Sequence, residues 1–544
     1  MPRAAAPSRW SRLLSRRFVI GAGASVLTLG SGTRAHAQRT PERPSNPHAS
    51  PGRDTSSWFV ISRPAEPGYI TDADRFEVYD GGSRTLLSGF QAVETTNVAV
   101  TSDPARILLA SSIGPSIFDL GTGNVTPVTW DVETAVGSVR LPDPRSATPT
   151  PPRWAFFQDI AYARALLVDL DNATGVDLAE MLVRPGEAAG YASLRFSPDE
   201  SRAIVSVAYN GVYLLDPESP ADARPLDGER DNLISWGADF SPDSSRVVYV
   251  LRPPGDDTGP GTLVVEDLDS GHAVEIGSAD PDGFAVFPPD SDDELIVFND
   301  GMVTRLEIDG GREKWRAESD ADVLALGITG NSLFLGSARP AGGTSRWQTI
   351  DLTGGDTREL PELQGLTYYN GSHANPRSSF QLMGPTAYGT GAGGPSGPLA
   401  AANLESGEVT ILLAQVDGTT LPHSYATSRD SGIILYAALD DDSQYFLFDL
   451  VSGERRAFTY DLPDSSPYHV AVSANGAAAG FTHWDNSGSG RTDVWLLDVA
   501  RKEDPEPFVE GRLWVWAGGS SAPVSASTQT AHPLPRALGH HVHG

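Results

Sequence analysis

The chain has 544 residues, enough for several average domains or for one large repeat array. It contains no cysteine, which excludes disulfides, zinc–thiolate and iron–sulfur centres, c-type haem attachment and thiol nucleophiles. Its 70 acidic and 40 basic residues give a formal charge of −30, a field that repels nucleic acid and anionic lipid and favours cations or basic partners. The 56 Gly and 42 Pro are about 18 % of the chain, against an ordinary share of roughly 12 %. Spread along most of the sequence, that excess fits an all-β protein with many turns.

In chain order, residues 1–37 read as a cleaved signal peptide. Arg16 and Arg17 open an apolar stretch that ends near Leu29, and Ala35-His36-Ala37 places small residues at the two positions a signal peptidase reads. The apolar segment is too short to span a bilayer. The paired arginines resemble a twin-arginine signal, which implies export in the folded state; an ordinary secretory signal with adjacent arginines is the other reading. Both predict a periplasmic or extracellular protein with no membrane anchor after cleavage. Loss of six arginines with residues 1–37 takes the charge from −30 to near −36. Residues 38–57 are polar and rich in Pro and Ser, a linker with nothing to bury.

Residues 58–516 carry one periodic regime with two markers. The first is a turn, seen as Phe196-Ser197-Pro198-Asp199 and Phe240-Ser241-Pro242-Asp243 before an apolar strand. Looser copies place turn acids or amides at 103, 159, 290, 331, 375, 430 and 475. The second is a strand ending in Asp and a small turn, as in Asp119, Asp169, Asp267, Asp351, Asp449 and Asp498. Proline presets φ and aspartate bonds nearby backbone N–H groups, so these acids are turn formers before anything else. A period of about 46 residues fits a four-stranded propeller blade. Trp58–Ser62, Phe76–Asp80 and Arg84–Leu87 look like three strands of a blade that lacks its first; Leu513–Trp516 is placed to supply it and remove an exposed edge. The predicted fold is a single all-β propeller of four-stranded blades. About ten units are countable, and seven to ten blades stay open. Residues 517–544, ending in His540, His541 and His543, are predicted to be a disordered tail, with transition-metal binding by its imidazoles the lesser reading.

The Phe-Ser-Pro-Asp turn, the apolar strand and the Asp-Leu-x-(Ser/Thr)-Gly end resemble the TolB-like, WD-repeat-like propeller family over roughly 58–516. That family's usual Gly after the turn Asp is replaced here by Glu200 and Ser244. The resemblance implies recognition of a protein or peptide at one face. Candidate ligand residues at the channel mouth are Tyr191, Trp236, His423, Tyr425 and His469. His483 and Asp485 join them from a distinctive loop, 483–493, that also admits a weak calcium-site reading. A solvated hairpin is the simpler account of that loop. No Gly-x-Ser-x-Gly elbow, P-loop, dinucleotide fingerprint or His-Glu-x-x-His occurs. The leading expectation is a monomeric, non-enzymatic binding or scaffold protein of the cell envelope with no cofactor. A propeller hydrolase or lyase, Ca²⁺-dependent or not, is the alternative, and surface glycan binding is a third.

Overall fold

In the computed structural model the described residues are 58–63, 75–80, 83–91, 95–100, 106–111, 114–119, 124–129, 136–140, 153–159, 164–182, 192–207, 211–226, 233–234, 238–252, 259–280, 283–319, 323–329, 331–337, 346–364, 366–368, 380–385, 397–403, 406–416, 424–428, 431–440, 443–458, 465–473, 475–485, 492–502 and 504–516. All belong to one compact unit, Ser45–Gly544. The signal residues Arg16, Arg17, Ala35 and Ala37, the 38–57 linker and the tail from 517 lie outside them.

Ten antiparallel sheets follow one another along the chain, an arrangement consistent with a β-propeller. Sheets 2 to 10 span residues 95–127, 136–177, 192–225, 233–279, 284–318, 323–359, 366–416, 424–458 and 465–510. Each is a four-strand meander, except that the first strand of sheet 5 is split into Leu233–Ile234 and Asp239–Phe240, both paired with Arg246–Arg252. Sheet 1 is different. Its strands Trp58–Arg63, Arg75–Asp80 and Leu86–Gln91 are completed by Arg512–Trp516, with Phe59 opposite Trp516 and Ile61 opposite Leu513. The pairing between the two ends of the periodic region is therefore present. The third of these strands begins at Leu86 rather than Arg84, because Arg84 turns with φ 54°.

Apolar residues on both faces of each sheet pack against its neighbours, which is why strands such as Arg106–Ser111 and Ala165–Asp169 are nearly continuous hydrophobic runs. Shared cores join sheets 1 and 2, 2 and 3, 3 and 4, 4 and 5, 5 and 6, 6 and 7, 7 and 8, 9 and 10, and 10 and 1. Polar bonds lace the same junctions. Asp239, 1 % exposed, accepts from Arg195 of sheet 4 at 2.6 Å and from the Phe287 N–H of sheet 6 at 3.1 Å. Arg305 of sheet 6 pairs with Glu294, bonds Asp290 at 3.0 Å and donates to the Leu352 carbonyl of sheet 7 at 2.7 Å. A buried charge with partners on two sheets is costly to strand, so these pairs set how neighbouring sheets register.

One short helix, Leu178–Leu182, interrupts the pattern between sheets 3 and 4. Asp177 Oδ1 caps it by accepting the Ala179 N–H at 2.9 Å, and Leu178, Ala179 and Leu182 are buried. No described helix is long and apolar enough to cross a membrane.

Candidate functional site

Because every sheet is a meander, its connections fall at two ends. Turns from first to second strand and from third to fourth lie at one end. Hairpins from second to third strand, and the crossings to the next sheet, lie at the other.

The first end is a set of repeated turn devices. Ser197, Ser241, Ser428 and Ser473 are each at most 2 % exposed, and each Oγ accepts the N–H of the residue five places on, at 2.8–3.0 Å. Ser197 and Ser241 also donate to Asp199 and Asp243 at 2.7 Å. Burial opposes ionisation of Asp199, but hydrogen bonds from Ser201 and Ser197 outweigh it and hold the carboxyl below its ordinary range. In the third-strand turns, Gly271, Gly355, Gly407 and Gly453 take positive φ and donate to the carbonyl four residues back at 2.8 Å. The side chains of Asp267, Asp351 and Asp449 accept the intervening N–H groups. Asp199, Asp243, Asp267, Asp351 and Asp449 are thus occupied with the fold, as the turn chemistry predicts.

The missing glycines have an answer here. Glu200 and Ser244 hold φ of 59° and 65°, as Gly476 does at 68° in its equivalent turn, so the left-handed turn is kept without Gly. An L-residue there costs about 1–2 kcal/mol. In exchange each side chain reaches a neighbouring sheet: Glu200 Oε2 accepts the Arg153 N–H at 3.0 Å, and Ser244 Oγ accepts the Asp199 N–H at 3.1 Å. One expected turn is misplaced. Asp159 ends the second strand of sheet 3, Trp154–Asp159, rather than sitting between its first and second strands.

The predicted ligand residues fall on or beside first and second strands of sheets 4, 5, 9 and 10. Tyr191 precedes the first strand of sheet 4, Ala192–Phe196, and His423 precedes that of sheet 9, Ser424–Thr427. Trp236 falls in the break within the first strand of sheet 5. These three lie outside the described residues. Tyr425 and His469 stand on the first strands of sheets 9 and 10, which pack together; Tyr425 is opposite Tyr436 and His469 opposite Thr482. Asp485 ends the second strand of sheet 10, Ala478–Asp485, opposite Ser465. The side chains of Tyr425, His469 and Asp485 are also outside the description.

His483 requires a correction. The loop predicted to start there begins as strand instead, and the ring is 3 % exposed between sheets 9 and 10. It meets Tyr445, Phe481 and Trp495, with the Tyr445 centroid 5.0 Å away. Burial drives its pKa down to about 4, so it is neutral at pH 7. It is a core residue. Asp493, expected to flank the same loop, is a strand residue opposite His483. Among the described residues no three His, Cys, Asp or Glu side chains are grouped to hold a metal ion.

No family model and no curated protein matches this chain. Its similarities are to solved structures at low identity. An oligogalacturonate lyase from Vibrio parahaemolyticus is 13 % identical over 74 % of this chain and 96 % of its own, with a TM-score of 0.32. Dipeptidyl peptidase 4 of Porphyromonas gingivalis is 10 % identical over 77 % and 59 %, at 0.40. The dihydro-haem d1 dehydrogenase NirN is 12 % identical over 89 % and 78 %, at 0.33. Their names denote different activities, and likeness at this level carries no argument about what this chain does.

Proposed function

We propose that this chain is an exported, TolB-like β-propeller of ten blades that binds a protein or peptide partner at the end where the second-to-third-strand hairpins and sheet crossings converge. The observation that carries the reading is the asymmetry between the two ends. At one, Ser197, Ser241, Ser428 and Ser473 cap four first-to-second-strand turns alike and Gly271, Gly355, Gly407 and Gly453 shape four third-to-fourth-strand turns alike, while the connections 141–153 and 369–379 are longer. The other has second-to-third-strand connections that vary from residues 300–301 to 386–396. Loops of varied length on a rigid scaffold are where recognition is placed. In this reading Tyr191, His423, Tyr425 and Asp485, next to strand ends that face that side in chain order, contribute to the site, with Trp236 and His469 further along their first strands.

The succession of shared cores and the pairing of Trp58–Arg63 with Arg512–Trp516 support a closed ring. Arg16, Arg17 and the Ala35-His36-Ala37 site support export to the periplasm or beyond. The test is crosslinked affinity capture from the cell envelope with wild type, with Tyr425→Ala/His469→Ala, and with a turn-end control, Asp351→Asn. A stoichiometric partner lost only in the double variant supports the reading. Repeated recovery of none, or equal recovery by all three, overturns it.

A further inference from the structure

At the turn end, between the third-to-fourth-strand turns of sheets 3 and 4, lies a cleft of about 350 Å³. Trp154 and Leu167 lie buried beneath it, and Val176, 37 % exposed, is its accessible apolar side chain. Across it the Arg153 guanidinium lies 4.9 Å above the Trp154 ring, donates to Asp169 Oδ2 at 3.2 Å and pairs with Glu218. Two carboxylates from different sheets and an indole face thus already grip one guanidinium. Their charges sum to one net negative.

The cleft has unused capacity. Asp169 is spent, since it also accepts the Asp171 N–H at 2.8 Å and the Asn172 side chain at 2.9 Å. The Glu218 side chain is 65 % exposed, and among the described residues its Oε2 has no partner. Arg153 Nε–H is likewise unused there, because the pairs run through Nη1 and Nη2. One charged acceptor, one N–H donor and the exposed Val176 side chain therefore border a space at the lower end of the usual range for ligand pockets, about 300–1,000 Å³. The space suits one long side chain with its adjoining peptide unit. The chain's −30 charge draws a basic partner toward it.

We propose that this cleft binds an arginine side chain of an extended basic peptide. Its guanidinium pairs with Glu218, its methylenes lie on the exposed Val176, and its peptide carbonyl accepts from Arg153 Nε–H. A second guanidinium balances the two carboxylates, which the resident one does not. This site is separate from the opposite end and does not depend on the function proposed there.

The experiment titrates the full mature chain calorimetrically, at low salt, with N-acetyl-arginine methylamide and with the neutral isostere N-acetyl-citrulline methylamide. The arginine probe is expected to bind at least ten-fold more tightly than the citrulline probe. Glu218→Gln, a change at an exposed position, is expected to abolish that preference, while Glu359→Gln on a distant exposed strand keeps it. Equal response to the two probes, no response in the millimolar range, or full preference in Glu218→Gln overturns the assignment.

Discussion

Replacing Ser241 by Ala removes three hydrogen bonds of a fully buried hydroxyl, of which the one to the Arg246 carbonyl, at 3.3 Å, is the weakest. The Arg246 N–H, now 2.9 Å from Oγ, is left without that acceptor, and Asp243 loses a donor at 2.7 Å. An unsatisfied buried donor costs about 1–3 kcal/mol, and a hydrogen bond to a charged acceptor is worth about 1.5–3 kcal/mol. Ser245 still holds Asp243 through its N–H at 2.9 Å and Oγ at 2.8 Å, so the second loss falls at the low end. The total is about 3 kcal/mol. In a unit of several hundred residues the unfolding entropy is on the order of 1 kcal/mol/K, so the thermal midpoint moves only about 3 °C. Amide hydrogen exchange is the sharper assay. Protection of Arg246–Arg252 is expected to drop about 100-fold if the strand opens locally. Burial disfavours the Asp243 carboxylate, but bonds from Ser241 and Ser245 outweigh it and lower its pKa. Such a group stabilises above its unfolded value, near 4, and the contribution is lost as pH falls through the lower folded one. The gap between wild type and variant is therefore expected to narrow toward pH 3. A loss of protection under ten-fold, or a gap constant with pH, would refute this account of the turn.

His483→Phe replaces an imidazole whose folded pKa, about 4, lies below its unfolded value near 6.5. Between those values the unfolded chain binds the extra proton, so wild-type stability falls by about 3 kcal/mol as pH drops from 6.5 to 4. Denaturant midpoints across that range should show the slope in wild type and lose it in the variant; parallel curves would mean the ring is not desolvated. Leu513→Ala strikes the strand that completes sheet 1, where Leu513 is fully buried and its N–H donates to Thr482 Oγ1 at 2.9 Å. The loss is about 2–5 kcal/mol. Limited proteolysis is expected to cut first beside Arg512–Trp516, and first cuts in another sheet would show that the end-to-end pairing is not the weak point.

The period, the strand-end acids and the pairing of the two ends were legible because one set of turn chemistries recurs. Asp267, Asp351 and Asp449 perform the same task in three sheets, and repetition turns a weak local signal into a strong one. The same reliance misplaced Asp159: Phe156-Phe157-Gln158-Asp159 resembles a first strand and its turn, while the true first strand of sheet 3 lies upstream at Val136–Arg140. The serine between Phe and Pro is a weaker turn former than the Pro and Asp that follow it. Yet Ser197, Ser241, Ser428 and Ser473 occupy matching places, and that recurrence was the available signal.

Recognition residues give no such signal, because a site is made of what does not repeat. His483 illustrates the difficulty: a Gly- and Ser-rich stretch follows it, so it reads as loop, while Phe481, Thr482 and His483 are all buried by sheets on both sides. Alternation of polar and apolar residues fails as a guide where both faces of a strand are covered. Departures from the repeat are more informative than the repeat itself. Glu200 and Ser244, where the pattern calls for Gly, accept strain to bond across sheets. Arg153 and Glu218 border turns that differ from their counterparts and meet at the cleft between sheets 3 and 4. In an array whose regular positions are committed to turns and cores, residues that break the rule either tie neighbouring sheets together, as Glu200 and Ser244 do, or border a cleft, as Arg153 and Glu218 do.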